Sequence, residues 1–193
     1  DYFFLGIFAA FGFLSHYLFS YLILTILIFF LITSYKERKF HFLYLIPIVV
    51  FFIIIFPHII WLIKNNYQTI VYAFGRTKID DTALLSHFAN PLFLIAKQIG
   101  ILLPFFLMLF FIEKRSSTLN VNFKNKKTLF LSLVTIVPII LIVITSAFSG
   151  AKIKTMWMTP FYIMIGVFAL YIFQNRIILN KLKKFYIVFS FFF

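Results

Sequence analysis

The sequence lacks cysteine and has few charged residues of either sign, with an especially small number of acids. With no Cys, it can form no disulfide bond, cysteine zinc site or thiol nucleophile. Only 12% of the residues are charged, whereas soluble domains have about 25%. So few polar residues cannot cover an apolar core, which excludes a water-soluble globule.

Apolar and basic residues are abundant. Hydrophobic residues make up 63% of the chain, 31 of them are Phe, and the mean hydropathy is +1.05. The solvent of this chain is therefore expected to be a lipid bilayer. A net charge of +13 would suggest nucleic acid in a soluble protein, but here the cations lie between apolar runs. They are interpreted as topology signals and contacts with anionic lipids, and no nucleic acid is expected.

The apolar runs predict an all-α integral membrane protein, a single polytopic helix bundle over 1–193 with about five to seven spans. Residues 2–35 carry no charge and as one helix would be ~51 Å long, too long for an untilted span. A break at Ser15-His16-Tyr17 is expected, with one long tilted helix as the alternative. The other predicted helices are Phe40–Phe56, kinked or ended by Pro57, then Pro91–Ile112, Thr128–Phe148 and Met156–Phe173.

Both chain ends suggest a fragment. The sequence opens at Asp1 without Met or a signal peptide. It stops inside the apolar run 185–193, which as a helix would reach ~13 Å, less than half of a ~30 Å hydrocarbon core. We expect truncation at both ends.

The distribution of cations predicts the orientation. Alternate loops place 12 Lys and Arg residues on one side and 6 on the other. The side with more cations should be cytoplasmic. The long polar interval 64–91 and the turn Gly150–Lys154 are then expected to lie together outside, and the interval 113–127 inside.

Few polar residues suggest chemistry. The predicted spans contain almost no ionisable group, which argues against a transporter. Lys97 is the exception, and it either snorkels to the outer interface or contacts a phosphate. No Gly-rich phosphate loop, metal-spaced His pair or Ser/His/Asp arrangement is present. Asp80-Asp81 with His87 could hold a divalent cation, but solvated carboxylates are more common, so no metal is predicted.

Several segments, in this order along the chain, resemble a known family. They are Gly6–Tyr17; the run Pro57–Tyr67 followed by Tyr72, Arg76, His87, Pro91, Gln98 and Pro104; and Gly150–Pro160 with Lys152, Lys154 and Trp157. They resemble the middle to C-terminal part of bacterial membrane glycosyltransferases related to dolichyl-phosphate-mannose protein mannosyltransferases, which include the lipid A aminoarabinose transferases. His16 stands where that family usually has Lys.

The resemblance implies a GT-C-type fold in the bacterial inner membrane, a polyprenyl-phosphate sugar donor, and transfer to a lipid or protein acceptor on the outer face. The family's catalytic acid lies in an earlier outer loop. The catalytic residue is therefore unknown here, the chain is expected to be inactive alone, and a separate polypeptide would supply the missing part. No cofactor is expected. The alternative is a non-enzymatic lipid-binding or transport subunit.

The donor phosphate is expected to bind cations at the outer interface, above apolar grooves that take its tail. Arg76, Lys152 and Lys154 are the predicted phosphate contacts. His58, His87 and Lys97 are further candidates for substrate binding. Each of them could also be an ordinary interfacial or structural residue.

Overall fold

A computed structural model describes residues 1–77, 84–112, 122–177 and 182–192. Within these ranges the regular elements are helices, as predicted. Short 3-10 helices lie at Tyr17–Phe19, Phe42–Tyr44 and Thr155–Met158. The α-helices are α1 (Tyr2–Ser15), α2 (Ser20–Glu37), α3 (Leu45–Lys64), α4 (Gln68–Thr77), α5 (Leu84–Ile112), α6 (Lys126–Ser149), α7 (Thr159–Phe173) and α8 (Leu182–Phe192).

The chain is a multi-pass membrane protein. Among the residues described, five helices are long and apolar enough to cross a bilayer, namely α2, α3, α5, α6 and α7 with their flanking 3-10 turns. Helix α1 has 14 residues, so it is ~21 Å long and shorter than the hydrocarbon core. This number of spans agrees with the lower end of the predicted range.

The predicted break at His16 is confirmed. His16 is extended, with φ −157° and ψ 119°, and its Nδ1 accepts the backbone N–H of Leu18 at 3.2 Å. The chain reverses here, because the Tyr2 ring at the start of α1 lies 6.2 Å from the Phe30 ring near the end of α2. The alternative of one long tilted helix is wrong.

Pro57 does not end its helix, which was one of the two alternatives for it, and Pro91 does not begin one. Helix α3 continues through Pro57 to Lys64, so residues 58–63 extend the span. Helix α5 begins at Leu84, before Pro91, which lies inside the helix. A proline removes one helical hydrogen bond, but a bilayer offers an unfolded backbone no water, so the helix is retained on both sides of the proline.

Small residues allow close helix packing. Gly6 and Ala10 are buried where α1 packs on α3, and an added Cβ at Gly6 would lie 2.7 Å from the Pro47 carbonyl oxygen. Helix α6 packs against α2, α5 and α7, and its buried side chains include Ser132 and Thr135. Such small-residue interfaces are typical of membrane helices. The core around α6 contains Leu94, Ile142, Met158 and Phe161.

The two ends of the bundle differ in chemistry. At one end, which we call the Glu37 end, the Glu37 carboxylate pairs with the Lys126 ammonium and lies 3.2 Å from His41 Nε2. At the opposite end lie His16, His58 and His87, and we call this the histidine end. The prediction that residues 64–91 form a loop there is corrected, since α4 and the first turns of α5 occupy much of it.

Candidate functional site

Tyr17 joins three elements at the histidine end. Its hydroxyl lies 3.0 Å from His58 Nε2 and 2.7 Å from Thr69 Oγ1. The break at His16 places Tyr17 at the turn between α1 and α2, while His58 belongs to α3 and Thr69 to α4. The His58 ring also stacks on Trp61, with ring centroids 5.9 Å apart. The imidazole is thus held from two sides.

His87 and Asn90 connect the beginning of α5 to the end of α6. His87 Nδ1 lies 2.8 Å from the Ala147 carbonyl oxygen. A carbonyl only accepts, so Nδ1 carries the proton, and Nε2 is the acceptor atom of the neutral ring. One turn further along α5, Asn90 Nδ2 donates to the Gly150 carbonyl at 2.7 Å.

Gly150 ends α6 in a conformation that suits glycine. Its φ is +66°, in the left-handed region. An added Cβ would lie 3.0 Å from Ser86 Oγ and 3.2 Å from His87 Nε2. Absence of a side chain therefore lets the turn after α6 pack directly on α5.

The same turn reaches α4. The backbone N–H of Lys152 donates to the Thr77 carbonyl at 2.9 Å, so Lys152 lies beside the residue that follows Arg76. This contact crosses 75 positions of the sequence and joins the interval 64–91 to the turn Gly150–Lys154, two segments that were expected to lie together.

Aromatic rings support two of the predicted cations. The Arg76 guanidinium lies 5.3 Å from the centroid of the Tyr72 ring, and Lys154 Nζ lies 5.9 Å from the Trp157 ring. Trp157 in turn meets the His16 ring edge to face at 6.2 Å. A cation–π contact holds the charge near a ring face without using a hydrogen-bond acceptor.

The electrostatics of this end favour an anion. Lys64, Arg76, Lys152 and Lys154 lie there, and the part of the chain that the structure describes places no carboxylate among them. Asp80 and Asp81 lie outside the described residues. No group of three or more His, Asp or Glu residues that could hold a metal ion is found in the described ranges.

Lys97 lies apart from this cluster. It follows Asn90 by seven residues on α5, so it is ~10 Å further along the helix axis, and its side chain is exposed. Of the six residues predicted for substrate binding, the structure therefore brings five to the histidine end, and Lys97 is the exception.

Two adjoining apolar cavities lie along the bundle below the histidine end. They measure about 530 and 370 Å³ and share Leu102, Phe106 and Ile139. The first includes Ile95, ~8 Å along α5 from Asn90. Across the same region the Tyr162 hydroxyl donates to Gln98 Oε1, which joins α7 to α5.

Sequence reasoning missed Thr69 and Asn90. Asn90 follows His87 by three residues, a spacing that places both on one helix face, but the signal was lost because α5 was expected to begin at Pro91. Thr69 has no comparable signal, since its partner Tyr17 lies 52 positions away and only packing brings the two together.

Comparisons with known proteins find no relative. No protein family, curated protein or solved structure is significantly similar to this chain.

Proposed function

We propose that the histidine end binds the phosphate of a polyprenyl-phosphate sugar, as part of a membrane glycosyltransferase of the bacterial inner membrane. The observation that carries the proposal is the junction of two basic segments. The hydrogen bond from Lys152 N–H to the Thr77 carbonyl joins the backbone of the segment that carries Lys152 and Lys154 to the segment that carries Arg76. Cations gathered without a described carboxylate partner are suited to an anionic ligand.

The shape of the bundle supports an amphiphilic ligand. The apolar cavities along α5 begin ~8 Å below Asn90, so a phosphate held at the histidine end would have its hydrocarbon tail beside them. Arg76 offers a planar fork for two phosphate oxygens, while Lys152 and Lys154 offer point charges on flexible stems. A water-soluble phosphate compound has no hydrocarbon tail that could contact this apolar surface.

Sugar transfer itself rests on the resemblance to the mannosyltransferase-related family. The resemblance implies an inverting transfer to a lipid or protein acceptor, which needs an acidic group to activate the acceptor or bind a metal. Of the five acids in the sequence, the structure describes Asp1 and Glu37, which both belong to the Glu37 end. Asp80 and Asp81 do not stand at the position where the resembling family has its catalytic acid. We therefore propose that a second polypeptide supplies the acid, and that the 193 residues alone bind the donor without transferring its sugar.

Binding of polyprenyl phosphate to the purified chain in lipid nanodiscs tests the proposal. The variants are Arg76→Lys, Lys152→Ala and Lys154→Ala, with Lys124→Ala at the Glu37 end as the matched control. Loss of one charge-assisted hydrogen bond typically costs ~1.5–3 kcal/mol, so each variant should bind about 10- to 150-fold more weakly. An ordinary interfacial cation contributes ~1 kcal/mol and no preference for this lipid.

The uncharged polyprenol serves as the second control. It should bind the parent chain and all four variants equally, because it lacks the phosphate. If the three variants bind polyprenyl phosphate as tightly as Lys124→Ala does, the phosphate site is elsewhere. Binding of the phosphate without any sugar transfer in native membranes would favour the non-enzymatic lipid-binding subunit.

A further inference from the structure

Helix α4 has two chemically different exposed faces. At ~100° per residue, Ile70, Val71 and Phe74 lie on one side, and Tyr72 and Arg76 on the opposite side. The Val71 side chain is 63% exposed and that of Phe74 is 60% exposed. Within the described residues, nothing in the bundle covers these two apolar side chains.

The attachment of α4 places it across the histidine end. Near its first turn Thr69 is hydrogen-bonded to Tyr17, and at its last residue the Thr77 carbonyl accepts the Lys152 N–H. Both partners belong to the histidine end. Between α3 and α4 the chain turns sharply, since Asn66 and Tyr67 have φ of 49° and 55°. Helix α4 therefore runs across the end of the bundle and does not continue the α3 span.

We infer that α4 lies in the membrane interface, with Val71 and Phe74 inserted into the lipid at the head-group boundary. Its 10 residues reach only ~15 Å, too short to cross a ~30 Å core, and it follows directly after a span that ends at Lys64. Short helices with one apolar and one polar face lie flat at this depth. The cations Lys64 and Arg76 make an anionic bilayer surface the matching partner.

The position of α4 in the interface determines the depth of the Arg76 guanidinium in the membrane. The guanidinium lies on the face opposite Phe74, and a helix with its side chains is ~10–12 Å across. With the apolar face ~5–10 Å below the boundary, Arg76 reaches the level of the lipid phosphates. Insertion of α4 would hold the cation at the depth of a lipid phosphate, whichever lipid binds there.

Site-directed spin labelling of the full chain tests the inference, and the absence of native Cys removes background labelling. Labels are placed by Val71→Cys, Phe74→Cys and, on the opposite side of the helix, Tyr72→Cys in vesicles of phosphatidylcholine and phosphatidylglycerol. Ile53→Cys, exposed in the middle of the α3 span, is the lipid control, and Lys124→Cys is the aqueous control.

Collisions with oxygen report lipid contact, and collisions with a water-soluble nickel chelate report water contact. The labels at Val71 and Phe74 should favour oxygen, as at Ile53, but at a depth of ~5–10 Å below the phosphates. The label at Tyr72 should favour nickel, as at Lys124. Equal nickel contact at all three α4 positions would overturn the inference. Protection of Val71 and Phe74 from both reagents would also overturn it, because a protein partner would then cover this face.

Discussion

Replacement of Tyr17 by Phe tests whether the contacts of one hydroxyl assemble the histidine end. The substitution keeps the ring and removes the hydrogen bonds to His58 and Thr69, at 3.0 and 2.7 Å. Net hydrogen-bond contributions are ~0.5–1.5 kcal/mol in soluble proteins and ~0.6 kcal/mol on average in membranes. Two part-buried bonds should therefore lower the free energy of unfolding by about 1–3 kcal/mol.

A double-mutant cycle with Thr69→Val isolates the bond that holds α4. The coupling between Tyr17→Phe and Thr69→Val should be about 0.5–1.5 kcal/mol, measured from unfolding free energies by steric trapping in bicelles. Tyr21→Phe is the matched control, since its hydroxyl bonds Thr145 on α6 at 2.8 Å and does not reach α4. It should destabilise the chain but show no coupling to Thr69→Val.

The accessibility of position 73 gives an independent measure of how firmly α4 is held, because Ala73 lies on the half-buried side of α4. A thiol placed by Ala73→Cys should react faster in the Tyr17→Phe background than in the parent, and Tyr21→Phe should leave its rate unchanged. A coupling near zero, together with unchanged reactivity of the thiol, would refute the role of Tyr17 in holding α4.

Three further predictions follow from the packing and the charge distribution. Gly6→Val should destabilise the chain by ~1–3 kcal/mol through overpacking. Gly100→Val should cost less, because beyond its own helical turn no atom of the described residues lies within 4 Å of an added Cβ there. Gly150→Ala should cost ~1–2 kcal/mol for a left-handed φ of +66°, measured in the same unfolding assay against Gly100→Ala. Alkaline phosphatase should be active when fused after Asn66 and inactive after Lys124; the reverse pattern would show that the predicted orientation is wrong.

The sequence predicted those features of the fold that depend on length and polarity. An uncharged run of 34 residues exceeds one bilayer thickness, so the sequence favoured a break at the polar step around His16 over one long tilted helix. The start of α5 was predicted wrongly, because Pro91 is a good first-turn residue in water. The alternative that α3 ends at Pro57 was wrong for a related reason. In the bilayer a helix continues through proline, since an unfolded backbone would have no hydrogen-bond partners.

For the candidate site, the sequence predicted which residues share a side of the membrane but not which atoms are in contact. Alternation of loops across the membrane placed Arg76, Lys152 and Lys154 on one side before any contact was known. Which atoms would meet could not be predicted, because the contacts of Tyr17 with Thr69 and of Lys152 with Thr77 join segments more than 50 positions apart. Such pairings depend on the helix packing angles and on the turn at Gly150.

The polar residues of the histidine end serve two different purposes. His58, His87 and Asn90 form hydrogen bonds with Tyr17 or with backbone carbonyls, so their polar atoms are used to join helices. Arg76 and Lys154 instead lie over aromatic rings, a contact that fixes the charge without an acceptor for its N–H groups. An anion would therefore meet the cations directly, whereas loss of a histidine would act by shifting the helices that carry them. This distinction predicts that substitutions of His58 or His87 weaken binding together with stability, while those of Arg76 and Lys154 weaken binding alone.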